Sequence, residues 1–558
     1  MVRRIIERLT APVRGLHQAA YLLAALTLAS QALALLRDRT FAHVFGAGQT
    51  LDLYYAAFRV PDLVFALVSS LVSAYVLIPR LTGLDREGTR RLLSESASFL
   101  LIAGGLLCAL LAVFMPQALH LLYPDLAASS AQAEFIALSR LLLIQPILLG
   151  LSSVFGSVTQ VHRRFVLFAL SPVLYNLGII VGAILLYPRF GLMGIGWGVI
   201  LGSFAYLLVN MPVILTADVW PRLVLPKWSR IASVVRDSVP RSLALGMGSI
   251  TALFLTALAS RVGTGAVSVF TLASNLEAVP LALIGSSYAV AAFPALSEAS
   301  ENKDHREFAR VLSTSARHII LWSLVALGLI AVLRAHLVRV ILGTGAFDWN
   351  ATRLTAALLV VLAVGLVAQG LVLLFSRALY AARQSWRPFL YQSAGAVFTI
   401  TLALAFLAAP ANGFPAMLAS FLRVGTVSTT TVLLLALAAT LGQIFLAILS
   451  LAALRSVTPG LARTLLRPAI DGTIAAVVGG AAAYGILLIE GGVAPLTTLL
   501  AVLTQGFIAG IVGLAVAGLA LFWVENEEFK SVVMALERLV RARASGILTP
   551  SAGEPAKP

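Results

Sequence analysis

A single cysteine in 558 residues, Cys108, excludes an intramolecular disulfide and a thiolate metal centre. It sits within an apolar run, where a packed thiol is expected rather than a reactive one. The seven histidines are scattered, with no i, i+4 pair beside a carboxylate, so no metal site is expected. The sequence holds no lysine-bearing phosphate loop either; "GAGQT" at 46–50 lacks the lysine such a loop needs, and ATP hydrolysis by this chain is excluded. No cofactor is implied. Charge is scarce as well, at 11% of residues, with 24 Asp and Glu against 40 Lys and Arg.

What fills the sequence is apolar. Hydrophobic residues make up 59% of it and the mean hydropathy is +0.95, more than a soluble core can hide. At about 20 residues per spanning helix, this length accommodates many spans and no large catalytic head, so an enzyme is not expected. The net charge of +16 raises nucleic-acid binding, but the basic residues punctuate apolar runs instead of forming one patch, which argues against it.

Apolar runs bounded by charge, Pro or Gly predict helices near 18–36, 54–79, 95–115, 134–158, 166–187, 191–213, 240–260, 266–295, 312–342, 353–382, 389–409, 426–453, 467–489 and 496–524. The fold class is therefore an all-α polytopic membrane protein of about fourteen spans, in two bundles around a central cavity. The expected organisation is a six-helix bundle at 1–213, a cytoplasmic linker at 214–239, a second bundle at 240–409, further spans at 410–524 and a partly disordered tail at 525–558. The stretch 410–430 fits a loop, a re-entrant piece or part of a helix. Alternate loops carry 30 of the 40 Lys and Arg, on the side of the basic leader Arg3, Arg4, Arg8 and Arg14, which places both termini in the cytoplasm.

Polar groups at membrane depth mark the candidate site. Arg37, Asp38, Asp52, Arg59 and Asp62 crowd the junction of the first two spans, and such groups generally face a wet interior and pair; a solvated turn is the plainer reading. Arg140 lies in the fourth span just before Gln145-Pro146, where a cavity-facing position and snorkelling to the interface are equally compatible with the sequence. Asn275 and Glu277, ahead of Pro280, are further intramembrane candidates. Ser171, Tyr175 and Asn176 read as glue between helices.

The segment "RDRTFAHVFGAGQTLDLYYAAFRVPD" at 37–62 resembles the start of the MurJ/MviN family, which has Arg-Asp, then Phe-Gly-Ala-Gly, an Asp, aromatics and Phe-Lys/Arg-x-Pro-Asn in the same order and spacing. Here these fall on Arg37-Asp38, Phe45 to Gly48, Asp52, Tyr54-Tyr55 and Phe58 to Asp62. Residues 155–176, "FPALSEAS" at 293–300, "ILGTGAFD" at 341–348 and "ALYAARQSWRP" at 378–388 are similar too, so the resemblance covers roughly 20–390. Three family positions that carry a basic residue hold Gln31, Phe65 and Asn275 instead.

The resemblance implies a flippase moving an undecaprenyl-pyrophosphate-linked peptidoglycan precursor, lipid II, across the bacterial inner membrane by alternating access, in the service of cell-wall biogenesis. Arg37 and Arg59, with Arg140 and Asn275, are then the expected substrate-binding residues. Asp38, Asp52 and Glu277 would hold or gate the cleft, and Gly46 and Gly48 would let the connection bend. The implied partners are the lipid-linked anionic substrate and membrane lipids, with a coupling cation and cell-wall synthesis proteins left open. The rival readings are an exporter of lipid-linked oligosaccharide, a cation-coupled antiporter of the same superfamily, and an inactive membrane scaffold.

Overall fold

The computed structural model describes residues 16–544, apart from 73, 226, 411–412, 456 and 492–497; the leader and the end of the tail lie outside the described residues. Each of the fourteen expected runs falls on helix. They are α1 Leu16–Phe45, α2 Gln49–Leu81, α3 Arg86–Leu122, α4 Gln132–Val161, α5 Phe165–Phe190, α6 Leu192–Thr216, α7 Trp228–Ser260, α8 Ala266–Glu301 and α9 His305–Ile341. There follow α10, broken into Trp349–Ala363 and Leu366–Ala381, then α11 Trp386–Leu407, α12 Val432–Leu454, α13 Leu461–Ile489 and α14 Leu499–Trp523. Twelve are long and apolar enough to cross a bilayer, thirteen with α10 taken as one span; α1 carries the apolar run 18–36 ahead of them. No strand occurs among the described residues. Leu106, Leu121, Phe507 and Trp523 are exposed on spanning helices, as lipid-facing side chains should be.

One expectation changes. Residues 214–239 are not a linker throughout, because α6 runs to Thr216 and α7 begins at Trp228. The connection is only 217–227, and Pro240, read as a helix boundary, lies inside α7. The segment 410–430 contains a short helix, Phe414–Phe421, followed by turns. The amphipathic start of the tail forms α15, Glu527–Ala544.

The described residues divide into two compact units. The first takes in Met1–Val279, Leu337–Gly365 and Ala382–Ser450. One apolar cluster in it includes Leu77, Leu81, Leu93, Leu100, Phe155 and Ile214. The second takes in Pro280–His336, Leu366–Ala381 and Leu451–Pro558 and contains an apolar cluster of Leu321, Val325, Ala475, Ala517 and Leu521. In that unit Arg317 of α9 is paired with Glu527 (2.8 Å) and with Glu528, tying the start of α15 to α9.

Within the first unit α5 and α6 touch backbone to backbone. A Cβ added at Gly182 would stand 2.7 Å from the Gly198 Cα, and one at Gly198 would collide with the Gly182 Cα. Small residues spaced four apart allow this approach, which in lipid replaces the missing hydrophobic drive with van der Waals contact. Gly198→Ile is therefore expected to cost about 2–3 kcal/mol or more by overpacking, visible as a lower unfolding temperature of the purified protein. The same change at Gly485, which has nothing within 4 Å of an added Cβ, serves as the control.

Candidate functional site

The site is built where α1 and α2 meet α5, α7 and α8. Phe41 of α1 packs edge-on against Tyr54 (5.0 Å between centroids) and Tyr55 (6.2 Å) of α2, and all three are buried, which fixes the hairpin. One turn earlier on α1, Arg37 donates from Nε (3.0 Å) and Nη2 (2.8 Å) to Asp38 Oδ1 and from Nη1 to Asn176 Oδ1 of α5 (3.1 Å). The second Asp38 oxygen accepts from Asn275 Nδ2 of α8 at 3.0 Å. Asp38 is 2% exposed and the Arg37 side chain 19%, so the ion pair is held inside the protein and each partner is also hydrogen-bonded to a helix other than its own.

Arg59 is arranged differently. It is half-buried, and its Nε donates to Thr256 Oγ1 of α7 at 2.8 Å, but its two Nη atoms make no hydrogen bond among the described residues. Asp62, one turn along, makes no ion pair with it within 4 Å among the described residues, although the two opposite charges are within electrostatic reach of each other. Two buried hydroxyls without partners lie near this guanidinium. Tyr55 Oη and Tyr123 Oη are both within electrostatic reach of Arg59, and Gln145 Oε1 is orphaned although its Nε2 donates to Tyr175 Oη at 3.1 Å. Buried groups left unsatisfied in this way are costly and rare unless a ligand or water completes them.

Asp52 has another task. Its carboxylate is 1% exposed and accepts from the backbone amides of Gly265 (2.6 Å) and Ser268 (2.8 Å) and from Ser268 Oγ (2.5 Å). It thus satisfies the orphan amides at the start of α8 and places a negative charge on the positive end of that helix. It holds neither arginine.

The two glycines of the α1–α2 connection also separate. Gly46 has φ +63°, and a Cβ there would collide with the Ala346 carbonyl, while Ala346 N donates to His43 O at 2.9 Å. Arg39 Nη1 reaches the last carbonyls of α9, Val340 (2.5 Å) and Ile341 (3.2 Å), so the segment 340–346 is clamped to the end of α1. Gly48 is in extended backbone, φ −141° and ψ −179°, which any residue adopts. Gly46→Ala is expected to cost more than about 2 kcal/mol through strain and collision, and Gly48→Ala about 1 kcal/mol at most. Thermal unfolding of the two purified variants reads the contrast.

The remaining candidates lie apart from Arg59. Arg140 is exposed on α4 and donates from Nε to Ala112 O of α3 at 2.8 Å; no contact joins it to Arg37 or Arg59 among the described residues. Glu277 is buried on α8 and has a partner. Of the positions where a basic residue was expected, Gln31 is half-buried and Phe65 is 37% exposed, while Asn275 is committed to Asp38. Sequence reading missed Thr256 and Ser268, small hydroxyl residues about 200 positions from the groups they bind. Nothing in their local sequence marks them.

Residues 41–503 match the family model described as lipid II flippase MurJ. The chain belongs to the MurJ family. The match runs well past the segment in which motifs are legible and includes Asp52 and Arg59, whereas Arg37 and Asp38 lie just before its start. The lipid II flippase MurJ of Burkholderia cenocepacia is 25% identical over 389 residues, 67% of this chain and 75% of the relative. A probable lipid II flippase MurJ of Thermotoga maritima is 28% identical over 370 residues, 65% and 74% of the two chains. Among solved structures, a lipid II flippase MurJ in an inward closed conformation superposes with a TM-score of 0.71 at 18% identity, covering 91% of this chain and all of that one. An inward-facing multidrug resistance MATE family transporter of the MOP superfamily gives 0.62 at 18% identity, covering 78% and 96%. At these identities the structures share the fold with this MurJ family member.

Proposed function

We propose that this protein is a lipid II flippase of the bacterial inner membrane. It carries the undecaprenyl-pyrophosphate-linked precursor from the cytoplasmic to the outer leaflet by alternating access, as a transporter and not an enzyme. Family membership over most of the chain supports the activity, and the Lys/Arg excess on alternate loops supports cytoplasmic termini.

For the headgroup, the supporting observation is Arg59. Its Nη atoms make no hydrogen bond among the described residues, it is half-buried, and the unpartnered hydroxyls of Tyr55 and Tyr123 lie within its electrostatic reach. A pyrophosphate brings oxygens that accept charge-assisted bonds from such a fork, and it moves a charge through oil only if cations and polar groups replace its water. Arg37 is already neutralised by Asp38, so its role in the proposal is to hold α1, α5 and α8 together and to preserve the geometry around Arg59. Asp52 and Gly46 keep the same hairpin in place, and Arg140 has no part in this cluster.

Depleting the protein in its own bacterium, while adding a lipid II-cleaving enzyme outside, tests the activity. Cleavable lipid II at the outer face should fall at least fivefold and return with the wild-type gene. Unchanged exposure after depletion would refute the reading.

A further inference from the structure

The connection between α6 and α7 carries a second polar feature, separate from the Arg59 cluster. Residues 217–225 run without helix along the first turns of α3, where Arg222 N donates to Ser94 Oγ (2.9 Å) and Val224 N to Ser98 Oγ (3.0 Å). Arg86 pairs with Asp218 and anchors the start of the strip. Between strip and helix lies a cavity of about 320 Å³ whose charged lining is Glu87, Arg90, Arg91, Glu95, Arg222 and Lys227.

These charges do not cancel. Arg91 is answered by Glu87 at 3.0 Å, and Glu95 is buried and partnered. Arg90, Arg222 and Lys227 make no side-chain hydrogen bond or ion pair among the described residues. The strip also exposes Leu223 at 78% and Leu225 at 88%, on either side of Val224. Helix α6 is a candidate membrane span that ends at Thr216, so the strip begins at the level where that span leaves the membrane. It is on the face that the Lys/Arg excess marks as cytoplasmic.

Water would solvate the three cations but leave two leucines exposed to it; a soluble anion would meet the cations and do nothing for the leucines. A ligand with a phosphate joined to acyl chains satisfies both, since basic pockets at the cytoplasmic surface favour anionic headgroups and apolar neighbours sink toward the acyl boundary. We propose that this pocket is a binding site for the headgroup of an anionic phospholipid of the phosphatidylglycerol type, with Arg90, Arg222 and Lys227 on the phosphate and Leu223 and Leu225 against the chains. The lipid is a resident of the bilayer, not the cargo. It seats the α6–α7 connection against α3.

The test is lipid binding to the full-length protein in detergent, followed by native mass spectrometry with phosphatidylglycerol, phosphatidylcholine and inorganic phosphate as probes. Wild type should prefer phosphatidylglycerol to phosphatidylcholine at least tenfold. The triple variant R90Q/R222Q/K227Q should lose that preference, Arg222→Gln alone should reduce it about threefold, and L223S/L225S should weaken phosphatidylglycerol binding at least threefold. Inorganic phosphate should not displace the lipid. Full preference in the triple or, should that variant not fold, in Arg222→Gln would overturn the proposal. So would unchanged binding by the leucine variant, or displacement by phosphate, which would identify a soluble anion as the ligand. Arg59→Gln should leave this binding untouched, which keeps failure here distinct from failure of the flippase reading.

Discussion

Replacing Arg59 by Gln is expected to lower lipid II translocation at least tenfold while leaving the protein folded. Among the described residues the guanidinium makes one hydrogen bond, from Nε to Thr256, so its removal breaks little that holds helices together. What is lost is the pair of Nη donors, and charge-assisted bonds to a phosphate contribute about 1.5–3 kcal/mol each. Arg59→Lys should fall between the two, because an ammonium keeps the charge and loses the planar fork. Thr256→Val should reduce translocation more mildly, since it frees the Nε and lets the fork wander without discharging it. Vesicles containing the purified variants, scored for lipid II that has crossed the bilayer, give the comparison, and unfolding temperature separates lost function from lost fold. If Arg59→Gln transports normally, the headgroup assignment is wrong.

The second large effect is on stability. Asp38→Ala is expected to cost about 3–5 kcal/mol, because it leaves Arg37 inside the protein without its counter-ion and Asn275 without an acceptor. Removing both charges, as Arg37→Met with Asp38→Leu, should recover much of that loss, as replacing a buried pair with apolar groups of similar volume often does. The double-mutant cycle separates two accounts of Arg37. If the pair is structural, the doubly apolar protein folds and still binds lipid II through Arg59. If Arg37 itself carries the headgroup, that protein folds and binds nothing.

Much of the architecture was legible because bilayer thickness imposes a length on every apolar run and loop charge imposes an alternation. All fourteen expected runs fall on helix for that reason. Reading a proline as a boundary holds at Pro410, which follows the end of α11, but not at Pro240. Pro240 sits inside α7, whose first three turns were taken for a polar linker because Arg230, Arg236 and Asp237 interrupt the hydrophobicity. Arg80 Nη2 reaches Asp237 Oδ2 at 2.5 Å, so part of that charge belongs to a helix contact.

The site was legible as a place but not as a division of labour. Crowded charges at 37–62 mark a segment whose side chains the fold ties to α5, α7 and α8. The same residue types nevertheless do three things there: Arg37 and Asp38 neutralise each other, Asp52 caps α8, and Arg59 keeps free donors. Which of these a charged residue does depends on groups 140 to 240 positions away, such as Asn176, Thr256, Ser268 and Asn275, and local sequence holds no trace of those partners. Gly46 and Gly48 looked alike for the same reason; the positive φ at Gly46 and the approach of Ala346 distinguish them.

The measurement that bears most directly on the account is the equilibrium binding of lipid II to the purified protein and to Arg59→Gln, with Arg140→Gln as the comparison. Tight binding by wild type and by Arg140→Gln, with at least tenfold weaker binding by Arg59→Gln at unchanged unfolding temperature, is the predicted result. Equal affinity for all three proteins would contradict it.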